Sequence, residues 1–293
     1  MMLKRSWIIV LAMGLLPWLG TTNNSFHYDD THSIVDNIHL RVSRVSPEQV
    51  QAYFTTPGTF SVDSGKAMYR PLLVTSFALN HAVGVWLGKG GYDVVGYHVV
   101  NLALHLSCAM LVLWLTGLLG AAPGAALLAG LLFAMHPVAS EPVNYISSRS
   151  ESLSVMCYLL GMCLFLRAEA GSSRWRWAAW VAMAAGLFSK STTITLPAAL
   201  LLLDFLVLNG RDLRRVGRRL FSHHLAGWII ALGYLLIVSG NGWLGRSLGQ
   251  HVRGPWEQAL TQIKASVYYL VLLATPVHQS VEPQFAEQAT FGA

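Results

Sequence analysis

Phe26-His27-Tyr28-Asp29-Asp30 places two adjacent carboxylates a few residues beyond the first apolar segment of the chain. An ionised carboxylate is costly to desolvate near a bilayer, so each needs a partner, a metal or a task. The plainer reading is a polar loop in which Asp29 or Asp30 caps the next helix. A second polar cluster runs from His136 to Glu151 and includes Glu141 and Arg149; a third is Ser189-Lys190-Ser191-Thr192-Thr193. Each has an ordinary reading too. His136 before Pro137 can simply end a helix, Glu141 and Arg149 can pair with each other, and Lys190 can snorkel to the interface. Asn101 and His105, one turn apart, read as a helix face turned toward protein or water, more suited to bridging helices than to touching a substrate. The His136/Glu141 spacing is not the helical His-x-x-x-His metal pattern, so no structural metal is read there.

The elements that must position these clusters are membrane helices. Of the 293 residues 54% are hydrophobic and only 12% charged, and the mean hydropathy is +0.47. Soluble domains carry about 25% charged residues, so a soluble fold is excluded. The formal charge of +6 sits mainly in short loops between apolar runs, where it sets topology and does not indicate nucleic-acid binding. Cys108, Cys157 and Cys163 lie in apolar segments at spacings that fit no zinc or redox motif, and are read as packing residues.

The apolar runs predict an all-α polytopic helical bundle with about seven to eight transmembrane helices, forming a single domain over residues 1–293. Crossings are expected over 7–19, 97–119, 125–135, 152–166, 177–188, 194–208 and 225–238, with 256–273 either crossing or lying along the outer surface. Residues 22–96 form an outer loop with interfacial helices. One of these starts at Ser46-Pro47-Glu48-Gln49, a capping-box pattern; another covers 71–87, which lies in the interface and does not cross. The first helix is retained, with its N-terminus in the cytoplasm. With that topology every basic loop, above all Arg211 to Arg219, falls inside and all three polar clusters fall outside. The two prolines Pro137 and Pro142 interrupt regular helix. Pro276-Val277-His278 opens a polar tail that runs to Ala293.

Beside this reading stands a resemblance. Phe26-x-x-Asp29-Asp30, Tyr69-Arg70-Pro71-Leu72, Ser76 to Asn80, Gly96-Tyr97-His98, Asn101, His105, His136-Pro137-Val138, Glu141, Val143, Ile146, Arg149 and Ser189-Lys190 together resemble the TMTC-type membrane glycosyltransferases. The similarity runs over about residues 26–285. The resemblance implies a GT-C fold, distantly related to the protein O-mannosyltransferases, and transfer of a sugar from a polyprenyl-phosphate carrier to an acceptor protein or glycan on the outer, periplasmic face. It implies that Asp29 and Asp30 are catalytic, one acting as general base on the acceptor hydroxyl or positioning the acceptor or a divalent cation such as magnesium or manganese. It also implies that Arg149 or Lys190 holds the departing phosphate, in a binding region shared with Arg70, His136 and Glu141.

Two departures set up a rival reading. The related enzymes usually carry an acidic residue after the Ser-Lys pair, where this chain has Ser191, and they usually continue into further helices and tetratricopeptide repeats. The chain thus reads as a shortened N-terminal part. It is either a glycosyltransferase or a silent descendant kept as a subunit of a membrane complex, for which the ten tryptophans would serve as anchors. A small transporter is a third reading, disfavoured because the polar clusters gather on one face. Its compactness points to a bacterial inner membrane, and no nucleic-acid partner is expected.

Overall fold

In the computed structural model, residues 2–66, 68–242, 245, 254–277 and 279–280 are described; His278 and 281–293, most of the expected polar tail, lie outside them. Among the described residues every regular element is helical. The chain runs through α1 (Met2–Leu15), α2 (Pro47–Thr55), α3 (Pro71–Trp86), α4 (Val94–Leu118), α5 (Pro123–Met135) and α6 (Ser140–Asn144). It continues through α7 (Arg149–Glu169), α8 (Arg174–Ser189), α9 (Leu196–Leu203), α10 (Leu213–Arg219), α11 (Leu225–Gly240) and α12 (Pro255–Ala274). The all-α polytopic bundle is the observed architecture.

Among the described residues five helical segments are long and apolar enough to cross a membrane: 5–23, 94–118, 146–169, 191–208 and 213–240. A sixth arises if 123–135 and 137–144 count as one span despite a 46° bend. These five or six rest on length and apolarity alone; α8, antiparallel to the crossing α7, returns the chain to the other end of the bundle, in line with the expected seven or eight. α8 has only 16 residues and opens on Arg174 and Arg176, and α12 carries Glu257 and Lys264 among its apolar positions. α3 is also a 16-residue helix, too short at 1.5 Å per residue to span about 30 Å of hydrocarbon upright.

The bend between α5 and α6 falls at His136-Pro137, where proline removes a helical N–H. The loop before α3 folds as a layer of short turns with its own core. Ile34, Leu40, Val42, Tyr53 and Phe60 pack on Leu73, Val74 and Phe77 of α3. Within it α2 begins as its sequence dictates: Gln49 N–H donates to Ser46 Oγ at 3.3 Å, and Ser46 N–H donates to Gln49 Oε1 at 2.9 Å. Trp18 ties the end of the first span to α5 by donating from Nε1 to Ala134 O at 2.9 Å.

α7 and α8 form the antiparallel centre, with α9 and α11 against them in one core that includes Phe165, Trp180, Met183, Leu187, Leu196 and Leu200. α1, α4 and α5 share a smaller core around Val10, Ala109, Leu113 and Ala134. Large apolar side chains such as Leu128, Val181, Leu232 and Leu236 remain exposed on the outside of the bundle, as a lipid-facing surface requires. The three cysteines are free and buried.

Candidate functional site

The three polar clusters converge at one end of the α7–α8 pair, around a cavity of about 460 Å³. Asp29, Lys66, Arg70, Glu141, Glu151 and Lys190 supply its charged lining, with Ser147, Ser148 and Ser150 between them. The adjacent acids divide there. Tyr28 adopts φ +52°, a left-handed conformation costing a non-glycine residue about 1–2 kcal/mol. The chain reverses at this point, so successive carboxyls leave in different directions.

Asp29 faces the cavity with its side chain 55% exposed. Its Oδ1 accepts from Lys66 Nζ at 3.0 Å and lies 2.9 Å from His32 Nε2. His32 is held in turn by Ser61 Oγ, 2.9 Å from its Nδ1. Burial by itself would raise the Asp29 carboxyl, but the hydrogen bonds and charges of His32 and Lys66 hold it below its ordinary value.

Asp30 is fully buried and is not part of the cavity lining. Its Oδ1 accepts from Ser147 N–H at 2.8 Å and Ser147 Oγ at 2.6 Å, and its Oδ2 accepts from His27 N–H at 3.1 Å. Burial raises its carboxyl above the ordinary value despite these donors. Asp30 clamps the loop of the first cluster onto the loop of the second.

Arg149 also turns away from the cavity. It is wholly buried, donating to Asn101 Oδ1 (2.8 Å), Tyr97 O (3.0 Å) and Ser76 O (3.3 Å), with Phe77 and Tyr97 rings against its guanidinium. It neither faces the space where a phosphate would sit nor pairs with Glu141. Glu141 accepts instead from Ser148 Oγ at 3.1 Å.

The cations that do line the cavity are Lys66, Arg70 and Lys190. Lys66 is paired with Asp29, and Lys190 with Glu151. Arg70, at the start of α3, donates to Ser150 Oγ at 3.1 Å and lies over the Phe60 ring, with no carboxylate partner among the described residues. Burial and the nearby Arg70 guanidinium push the Lys190 ammonium down to about 8, against the opposing pull of Glu141.

A second, apolar cavity of about 470 Å³ adjoins the first, with Glu151 in the lining of both. Cys108, Val112, Leu132, Phe133, Val155 and Leu273 form much of its wall. His136 belongs here and not to the polar cavity, with its Nε2 3.0 Å from Leu273 O. Asn101 and His105 bridge helices: Asn101 donates to Tyr145 O at 3.3 Å, and His105 Nε2 lies 3.0 Å from Ala134 O.

The acid pair does not fit a divalent cation. One oxygen of Asp29 is occupied by Lys66 and His32, Asp30 is turned into the protein, and among the described residues no three metal-ligating side chains converge. Lys66 and His32 were not singled out from the sequence. Lys66 follows Gly65 in an aperiodic loop, and only the folding of that loop brings it back to Asp29.

No family model and no solved structure matches the chain. Among curated proteins it is 34% identical over 280 residues to protein O-mannosyl-transferase Tmtc2 of Drosophila melanogaster, covering 90% of this chain and 29% of that one. It is 28% identical over 248 residues to protein O-mannosyl-transferase TMTC2 of Homo sapiens, and 29% identical over 234 residues to protein O-mannosyl-transferase TMTC4 of Mus musculus, covering 82% and 72% of this chain. It spans 29% to 31% of the length of these relatives. Over most of its length, then, the chain is a homologue of the TMTC-type protein O-mannosyl-transferases.

Proposed function

We propose that this chain is the membrane-embedded part of a GT-C-type glycosyltransferase, moving a sugar, on the relatives' names mannose, from a polyprenyl phosphate to a protein hydroxyl. One observation carries the reading. An exposed carboxylate, Asp29, and a cation lacking a carboxylate partner, Arg70, line one cavity that abuts an apolar groove. A donor with a charged head and a long apolar tail needs such a junction, the tail in the groove and the phosphate beside Arg70 and Lys190.

In the transfer, the acceptor oxygen bonds to the anomeric carbon as the bond from that carbon to the phosphate oxygen breaks. The electron pair leaves on the polyprenyl phosphate, where Arg70 binds it as a planar fork and Lys190 as a point charge. The hydroxyl proton goes to Asp29. A carboxylate held below its ordinary value is ionised at neutral pH but is a weak base, so bond breaking at the sugar runs ahead of proton transfer. Asp30 does not touch the reacting atoms in this scheme; it fixes Ser147 and the turn that aims Asp29.

The cavity lies at the end of α7 and α8 opposite the arginine-rich segments. The positive-inside rule then puts the N-terminus and those arginines in the cytoplasm and transfer on the outer face. The test is to supply the purified chain in vesicles with a serine/threonine peptide and either polyprenyl-phosphate mannose or GDP-mannose. Mannosylation from the lipid-linked donor alone, inhibited by sugar-free polyprenyl phosphate, is expected. A folded chain that moves no mannose, or takes it directly from GDP-mannose, would overturn the reading; the first result would favour a silent assembly subunit.

A further inference from the structure

The end of the bundle remote from this cavity holds a pocket that sugar transfer does not use. It lies between α8 and α11 and has a volume of about 290 Å³. Trp180 forms its base, 3% exposed and packed on Gly227, where any Cβ would run into the indole. Trp177 and Phe221 line it while standing 67% and 80% exposed, as aromatic anchors do at a membrane interface. Leu225 and Ile229, one turn apart, continue an apolar wall along α11.

The other part of the pocket is polar, formed by Ser173, Ser222 and Arg176. Arg176 Nη2 donates to Glu169 at 3.2 Å and Nη1 to Ser222 O at 3.5 Å, but its Nε is buried without a hydrogen-bond partner. A donor withdrawn from water and left unmatched is destabilising, and this one belongs to the guanidinium that lines the pocket. Around this site the segments 167–176 and 211–219 carry eight arginines against Glu169 and Asp212, a field that concentrates anionic lipid. A soluble anion would match Arg176 and leave the apolar wall unused, whereas a zwitterionic lipid would gain little from the surrounding charge.

We infer that this pocket binds one anionic phospholipid, its phosphate against Arg176 and the Ser173 and Ser222 hydroxyls and an acyl chain over Trp180, Leu225 and Ile229. The site is independent of the transfer reaction, so neither reading stands or falls with the other.

Native mass spectrometry of the detergent-solubilised chain, titrated with phosphatidylglycerol or phosphatidylcholine of matched acyl chains, tests it. One phosphatidylglycerol retained about tenfold more tightly than phosphatidylcholine is expected. Arg176→Gln should abolish the preference. Because that change also disturbs Glu169, Ala226→Phe provides a second variant: it fills the pocket from α11, leaves the ion pairs in place, and should weaken phosphatidylglycerol binding about tenfold. Equal retention of the two lipids, unchanged binding in Ala226→Phe, or displacement of the lipid by millimolar inorganic phosphate would overturn the inference.

Discussion

The two ends of the α7–α8 pair hold their charges by opposite rules. At the arginine-rich end one largely buried cluster, Asp204, His224, Arg219 and Glu169, closes on itself, while Arg176 beside it keeps an unmatched N–H. Asp204 and His224 are both fully buried and meet at 2.9 Å, and Arg219 reaches Asp204 at 3.1 Å and Glu169 at 2.6 Å. At the other end three cations and three acids line an open cavity, and two of the six, Arg70 and Glu141, find only serine hydroxyls. A closed network has a fixed shape and little left to offer a ligand. An open, mismatched one can exchange its partners for a phosphate or a hydroxyl. The same residue types make a closed clamp around Asp204 and an open candidate site around Asp29, and burial decides which.

That contrast can be broken most forcefully at the closed end. Arg219→Met leaves Asp204 and Glu169 without their shared arginine, which for buried pairs costs about 3–5 kcal/mol; because Arg219 is partly exposed, the lower figure is expected. Thermal unfolding in detergent should show it, with transfer per folded molecule unchanged. Arg149→Lys should cost about 2 kcal/mol, since one ammonium cannot serve Asn101, Tyr97 and Ser76 in the guanidinium's planar geometry. Its effect should again be on folding. A smaller effect, confined to function, is expected at the open end. Arg70→Ala should lower kcat/KM for the lipid-linked donor by about 10–100-fold, the worth of a lost charge-assisted contact, with little change in unfolding temperature.

The finest effect concerns pH. Lys190 is charged below its pKa of about 8 and loses its proton as pH rises through that value. Donor KM should therefore rise severalfold above pH 8, and Lys190→Arg should move that alkaline limb upward. Asp29, held below its ordinary value of 3.8, stays ionised, so no acid limb from it should appear above about pH 5. The sign for stability is the same, but the contacts are half exposed, so the small support they give is lost only as pH falls through the lowered value.

Much of this was legible in the sequence, for local reasons. The capping box at Ser46 and the break at Pro137 follow from rules that act within one turn of helix. The gathering of the three polar clusters at one end follows from the alternation of apolar runs and arginine loops. What the sequence hid depends on side-chain direction. Neighbouring Asp29 and Asp30 read as a pair, but a left-handed Tyr28 sends one outward and one inward. The resemblance implies Arg149 or Lys190 as the phosphate holder, with Arg70 nearby; carbonyls and aromatic faces consume Arg149, while Arg70 and Lys190 line the cavity. Lys66 carries no periodic signal at all.

The central claim is the division of labour between the two acids, and one paired measurement tests it. Mannose transfer and unfolding temperature would be recorded together for Asp29→Asn and Asp30→Asn. Loss of the Asp29 carboxylate should cut transfer by about 10²–10⁴-fold, the typical worth of a general base, while the unfolding temperature stays near that of the unaltered chain. Loss of the Asp30 charge should lower the unfolding temperature, with transfer falling only as the folded fraction and the aim of Asp29 decline. An active Asp29→Asn chain, or a fully folded but inactive Asp30→Asn chain, would contradict the account.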